Sequence, residues 1–217
     1  MIVDLNLQNK VVIVIGGGKE AEKRINSLLK QNCEILVLSD AVNAKIKNLS
    51  KNNKIKLKKQ KIQDTKFISA FNPYMIITTT NDKRVNQIII NEAKRKKIIV
   101  YSSDNPDDSD FSNPAIIDFD KMIQIAIFTG GQSPAMSKKI KEKSETVLKN
   151  IITKEDVAQI RIQKIARKIA KESISTPSQR RECLRKIMSD NEIDQLIKDR
   201  QIKKAEKRAI TILRNWK

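Results

Sequence analysis

Residues 11–40 read VVIVIGGGKEAEKRINSLLKQNCEILVLSD, and the rest of the chain is organised around them. Five apolar, mostly β-branched residues, Val11 to Ile15, run directly into Gly16-Gly17-Gly18. A helical stretch follows to about Gln31, and a second apolar run, Ile35 to Leu38, stops at Ser39-Asp40. A short unbroken apolar run bounded by glycine is the pattern of a strand buried on both faces of a parallel sheet. The spacing Gly16-x-Gly18-x-x-Ala21 is a dinucleotide fingerprint with alanine in its third place. Gly16 allows the tight turn, Gly18 lets a pyrophosphate approach the backbone, and Ala21 lets helix and strand pack closely. The phosphates are expected on N–H groups at the helix N-terminus, contributed by Gly16, Gly17, Gly18, Lys19, Glu20 and Ala21. Asp40 lies about 20 residues on, where a carboxylate can accept hydrogen bonds from a ribose diol and repel a 2′-phosphate. That favours NAD, with Lys45 and Lys47 the nearby cations that bear on NADP. The competing reading is a glycine-rich turn that binds nothing, but strand, glycines, helix, strand and acid follow in the required order.

Composition narrows the chemistry. The 217 residues are 39% hydrophobic, enough for a core, and only 4% aromatic. There is no histidine, so a general acid or base must be Asp, Glu, Lys, Tyr, Cys or water. The net charge of +19 points to an anionic partner. Nucleic acid is disfavoured, because basic residues are not interleaved with aromatics and no nucleic-acid motif is present. A small substrate carrying many carboxylates fits the charge, as does a general habit of using Lys, Ile and Asn. The two cysteines, Cys33 and Cys183, are far apart and form neither a disulfide framework nor a zinc motif. Without a signal-peptide pattern or a membrane-length apolar stretch, a cytoplasmic protein is expected.

Residues 1–10 are expected to form a lead-in strand or hairpin. Weak helix over 41–50, a short exposed strand at 55–57, a helix or turn over 64–72 and a buried strand over 74–80 come next. From Lys83 to Lys96, Val85, Ile88, Ile89 and Ala93 share one helical face, and another strand spans 98–101. This alternation predicts an α/β, Rossmann-type parallel sheet. SSDNPDDSDFSNP (102–114) is a loop beginning at a strand's carboxyl end, where open α/β sheets place ligands. Residues 115–117 and 122–129 read as antiparallel strands about Asp118–Lys121. Ser133 is then the N-cap and Pro134 the first residue of a helix. Beyond about 149 the chain lacks glycine, carries more than half the net charge and is helically periodic. Val157, Ile160, Ile165, Ala166, Ile169, Leu184, Ile187, Met188, Ile193, Leu196, Ile197, Ile210, Leu213 and Trp216 predict three or four packed helices.

Four stretches in order, DLNLQNKVVIVIGGGKEAEKR, ITTTNDKRVN, VYSSDNPDDSDFSNPA and IAIFTGGQSPAMSKKI, cover roughly residues 4–145. Together they resemble the precorrin-2 dehydrogenase / sirohydrochlorin ferrochelatase family, the N-terminal half of siroheme synthases. The resemblance implies an NAD-binding Rossmann domain over 1–113, a central dimerisation segment over 114–148, and a basic helical domain over 149–217. It implies a cytoplasmic homodimer that oxidises precorrin-2 to sirohydrochlorin, passing a hydride to NAD⁺. In many members ferrous iron is then inserted to give siroheme. By motif position Asp104 is the residue implicated in the chemistry. A carboxylate is also a natural base in a chain without histidine, although the same residue could serve an Asx turn beside Asn105-Pro106. Thr80 and Asn81 fall near the nicotinamide end of the cofactor, and Thr129, Gly130 and Asn86 are placed with the tetrapyrrole. The octacarboxylate substrate implied by the family gives the positive charge a chemical reason.

Departures from the family pattern are Glu20 inside the fingerprint, and Asn81 and Asn105 where acidic residues are common. Asp107, Asp108 and Asp110 are read as solvated loop acids, and no metal site is expected. No uroporphyrinogen methyltransferase half is expected, the sequence ending at Lys217. A non-enzymatic NAD-sensing module that regulates a partner would account for residues 11–101. It gives no reason for SSDNPDDSDFSNPA or TGGQSP.

Overall fold

The computed structural model describes residues 2–216 and separates into two units, Met1–Asn113 and Pro114–Lys217. In the first, strands β1 (Val11–Ile15), β2 (Glu34–Ser39), β3 (Lys56–Lys59), β4 (Met75–Thr78) and β5 (Ile99–Ser102) alternate with helices α1 (Lys19–Leu28), α2 (Ala44–Lys51), α3 (Lys66–Phe71) and α4 (Lys83–Arg95). The strands form one parallel sheet in the order β3-β2-β1-β4-β5. β1 is central, with Val11 opposite Glu34 on one side and Val12 opposite Met75 on the other.

Both faces of β1 are covered, which is why its sequence shows no polar alternation. Val12 and Val14 join Ala21, Ile25 and Ile46 under α1 and α2. Ile13 and Ile15 join Phe67, Ile68, Ile89 and Ile90 under α3 and α4. Each such buried aliphatic side chain contributes about 1.5–3 kcal/mol, against roughly 0–1 kcal/mol for an exposed ion pair. The sheet interior therefore sets the fold, while surface charges only orient local groups.

Several expectations change. Residues 2–10 contain no strand; Leu7 is buried, and the Lys10 N–H donates to the Leu7 carbonyl in a turn. The inward face of α4 is rotated from the one expected: Ile88 is 41% exposed, whereas Asn86 and Ile90 are buried beside Ile89 and Ala93. A buried asparagine breaks an apolar periodicity, and its reason lies in the site. The loop after β5 contains one turn of 3-10 helix, Pro106–Asp108.

In the second unit, β6 (Ala115–Phe119) and β7 (Ile123–Ile127) form an antiparallel hairpin. Asp120 and Lys121 at its turn both have positive φ. Helix α5 (Pro134–Ile151) follows, capped by Ser133, whose hydroxyl accepts from the Met136 N–H at 3.2 Å. Four more helices, α6 (Lys154–Ser173), α7 (Pro177–Met188), α8 (Asn191–Lys198) and α9 (Ile202–Arg214), bury Ile162, Cys183, Ile187, Ile193, Ala205 and Leu213. Met188, expected inside, is 58% exposed because the buried row on α7 runs through Cys183 and Ile187 instead. Burial pushes both the Cys33 and Cys183 thiols up. No helix among the described residues is long and apolar enough to cross a membrane.

Candidate active site

Because all five strands of the first unit run parallel, their carboxyl ends share one edge of the sheet. Gly16–Gly18 follow β1, Asp40 follows β2, Thr79–Asn81 follow β4 and Asp104 follows β5. The order reverses between β1 and β4, and the crevice at such a switch point is where doubly wound sheets bind ligands.

The three glycines do different work. Gly16 has φ +116°, and a Cβ there would lie 2.5 Å from the Thr79 hydroxyl oxygen, which donates to the Ile15 carbonyl. At Gly17 a Cβ would lie 2.0 Å from the Ala41 carbonyl oxygen. The Gly17 carbonyl in turn accepts from the Asn43 N–H at 2.9 Å, so this glycine is clamped against the β2–α2 loop. At Gly18 a Cβ would meet nothing within 4 Å. Gly18 is the N-cap of α1 and supplies no capping side chain. An open approach to an uncapped helix N-terminus is the cradle a pyrophosphate requires.

Two carboxylates in the first turn of α1 would oppose a phosphate, and both are engaged by cations. Glu20 pairs with Arg24, and more loosely with Lys23 at 3.9 Å. The Arg24 guanidinium also lies 4.5 Å from the centre of the Tyr101 ring and donates to its hydroxyl at 2.7 Å. Glu22 pairs with Lys45 at 2.9 Å and accepts from the Asn43 amide at 2.9 Å. The Lys45 hydrogen bond holds the Glu22 carboxyl below the usual carboxylate range. Lys45 is thereby committed to Glu22. Asp40 is exposed, and one of its oxygens accepts from the Ala41 N–H at 2.9 Å. Lys19 and Asn81 are exposed, while Ala21 is buried against the sheet.

Asp104 is held quite differently. Its Oδ1 accepts from Ser102 Oγ at 2.8 Å and from the Asn86 amide at 3.0 Å. These donors are each only 1% exposed, whereas Asp104 itself is on the surface. Both bonds come from side chains, and neither is the backbone amide that an Asx turn would use. Asn86 also donates to the Thr80 carbonyl at 2.9 Å and accepts from the Thr80 hydroxyl at 2.7 Å. A cleft of about 300 Å³ opens beside them, lined by Lys83, Asn86, Ser102, Asp104 and Asn105 among others.

Two of the other loop acids are occupied, while Asp107 is exposed. Asp108 accepts from the Asn105 amide at 2.8 Å and pairs with Lys94 at 3.5 Å. Asp110 accepts from the Val100 N–H at 2.8 Å.

Asn86, assigned to substrate by resemblance, has its amide committed to Thr80 and Asp104. Thr129 and Gly130 lie in the second unit. The Thr129 hydroxyl donates to the Ser133 carbonyl at 3.1 Å, and Gly130 and Gly131 have φ +65° and +78° in the turn before α5. Ser102 and Arg24 were not singled out in the sequence. The Ser-x-Asp spacing offered a local hint for Ser102, and the i,i+4 spacing from Glu20 one for Arg24; nothing local marks the contact of Arg24 with Tyr101, 77 residues away.

Residues 3–115 match a family model described as "Putative NAD(P)-binding", and the chain belongs to that family. Three curated relatives and one solved structure refine the comparison. The chain is 26% identical over 203 residues to a siroheme synthase of Actinobacillus pleuropneumoniae, covering 93% of this chain and 40% of the relative. It is 30% identical over 142 residues to a siroheme synthase of Psychromonas ingrahamii, covering 65% of this chain and 29% of the relative. To a precorrin-2 dehydrogenase of Priestia megaterium it is 29% identical over 140 residues, 64% of this chain and 67% of that one. The chain thus spans less than half the length of the siroheme synthases it matches. The solved structure of SirC, precorrin-2 dehydrogenase, shares the fold, with a TM-score of 0.69 and 24% identity over 96% of this chain and 99% of that one.

Proposed function

We propose that this protein is an NAD-dependent precorrin-2 dehydrogenase, forming sirohydrochlorin with Asp104 as its base. The observation that carries the reading is the Asp104 carboxylate, fixed by buried donors at the carboxyl end of β5 on the edge that also holds the glycine cradle. The names of its relatives supply the substrate class.

NAD⁺ supplies a hydride acceptor when bound. Gly16–Gly18 and the first turn of α1 hold its phosphates, and Asp40 takes the ribose diol. Pairing of Lys45 with Glu22 supports NAD over NADP, because it ties up a nearby cation that a 2′-phosphate would need. Thr80 and Asn81 border the nicotinamide end. The protein's chemical task is to remove a proton from precorrin-2 as a hydride leaves it, and Asp104 does this. With sirohydrochlorin in place, the same carboxylate takes pyrrole protons as ferrous iron enters as a substrate, giving siroheme. Thr129 and Gly130, in the second unit, are assigned to the tetrapyrrole by the resemblance.

A cytoplasmic homodimer belongs to the same reading, with residues 114–148 as the dimerising segment and 149–217 as a separate helical domain. Both cysteines are free thiols, in keeping with a reducing compartment. Met136, Ile140, Val147 and Ile151 leave an exposed apolar stripe along α5, and Phe128 is exposed beside it in sequence. Such a stripe is the kind of surface a second copy covers.

The test mixes the purified protein with precorrin-2 and NAD⁺ and follows NADH absorbance, then adds Fe²⁺ and follows the tetrapyrrole spectrum. Stoichiometric NADH with sirohydrochlorin is expected in the first stage and siroheme in the second. NAD binding without any turnover would defeat the enzymatic reading and leave a nucleotide-sensing module.

A further inference from the structure

We infer that Asn86 and Ser102 are positioning residues that aim the Asp104 carboxylate, and that Asn86 sets its register against the nucleotide-binding edge through Thr80. This rests on the proposed role of Asp104 and goes beyond it.

An exposed aspartate ordinarily samples several rotamers. Here two donors from buried side chains converge on one oxygen, Oδ1, at 2.8 and 3.0 Å, which leaves Oδ2 to take a proton. The donors come from different elements: Ser102 ends β5, and Asn86 sits one turn into α4. Asn86 faces inward at a helical position where an aliphatic residue would otherwise pack against Ile90 and Ala93. Burying an amide there is unfavourable unless its polar atoms are satisfied.

They are satisfied in only one orientation. The Thr80 carbonyl accepts from the amide nitrogen at 2.9 Å, and the Thr80 hydroxyl donates to the amide oxygen at 2.7 Å. This pairing fixes which end of the amide is the donor and points its NH₂ at Asp104. Ser102 is fixed likewise, since its hydroxyl oxygen accepts from the Asn105 N–H at 3.3 Å while its proton goes to Asp104. Thr80, Asn86, Asp104 and Ser102 thus form a continuous chain from the end of β4 to the end of β5. A shift of the Thr80 segment is transmitted to the carboxylate through one rigid amide.

The experiment is a double-mutant cycle on the full chain, measuring kcat, KM for precorrin-2, NAD affinity and thermal unfolding. The variants are Asp104→Asn, Asn86→Ala, Ser102→Ala, and each of the latter two combined with Asp104→Asn. Each single positioning variant is expected to lower kcat about 10- to 100-fold with NAD affinity within about twofold of the parent. In the Asp104→Asn background the same substitutions are expected to change kcat by less than about twofold, because their effect passes through the carboxylate. Losses that multiply in the doubles overturn the inference, as does parental kcat in both singles alongside a disabled Asp104→Asn. An Asp104→Asn enzyme running at the parental rate defeats the functional reading itself, and the positioning role with it. Should Asn86→Ala unfold, the Ser102→Ala arm decides by the same criteria.

Discussion

The loop after β1 and the loop after β5 sit on one sheet edge and are built on opposite principles. The first is defined by what is missing. Gly17 has no Cβ because the Ala41 carbonyl occupies that space, and Gly18 has none beside open solvent. The second is defined by what side chains reach: Asn86 and Ser102 to Asp104, Asp110 to Val100, Ser109 to the Ser102 N–H. A phosphate grip needs backbone N–H groups and room, which small residues at fixed spacing provide. An oriented carboxylate needs donors from distant parts of the chain.

The sharpest way to break this contrast is Asp104→Asn, which keeps the shape and removes the carboxylate. Turnover should fall about 10²- to 10⁴-fold, with NAD affinity unchanged in an equilibrium titration. A loss of NAD affinity instead would mean that the two loops are not separate devices. Next comes Gly17→Ala. A Cβ 2.0 Å from a backbone oxygen forces the β2–α2 segment to move, and thermal unfolding should report a loss of about 1–3 kcal/mol.

Gly18→Ala should do the reverse. Its Cβ meets no protein atom within 4 Å, so stability holds while the methyl intrudes on the phosphate site. NAD affinity should drop about tenfold, roughly the 1.4 kcal/mol that one crowded contact can forfeit. A stable Gly17→Ala or an unstable Gly18→Ala would reverse the steric assignment.

The smallest effect is electrostatic. Glu22 is held below its ordinary value first by the hydrogen bond from Lys45, so its folded pKa lies under its unfolded one. The stabilisation from this pair is present above the unfolded pKa and is lost as pH falls through the folded pKa. Lys45→Ala should therefore lower the melting temperature slightly at neutral pH, and the gap from the parent should close in acid. A gap that persists in acid would assign the role of Lys45 to packing.

The same contrast explains what the sequence discloses. The β1 fingerprint, the Ser133 cap and the antiparallel hairpin are each legible in a short window, and the parallel sheet in the alternation of strand and helix out to residue 101. The inward face of α4 is not. Apolar periodicity selects Ile88, but the chain turns Asn86 inward because its partners, Thr80 and Asp104, await it there. Tertiary hydrogen bonding overrides pattern at that position; Arg24, already paired with Glu20 on its own helix, adds to pattern by also reaching Tyr101. Sites departing from local rules are where function is expected to have intervened. The N-terminal residues fail for another reason: Ile2, Val3 and Leu5 are apolar enough for a strand, but β1 already has neighbours on both sides.

The loop after β5 also lies along the outer edge of that strand. This strand is outermost in the sheet, and its outward N–H and C=O groups would ordinarily invite another strand. Val100 spends both of its groups on Asp110, while Ser102 gives its N–H to Ser109 and accepts that residue's hydroxyl in return. The segment that carries the Asp104 carboxylate is also the hem of the sheet. Loosening it would unpick a border that keeps molecules from knitting together.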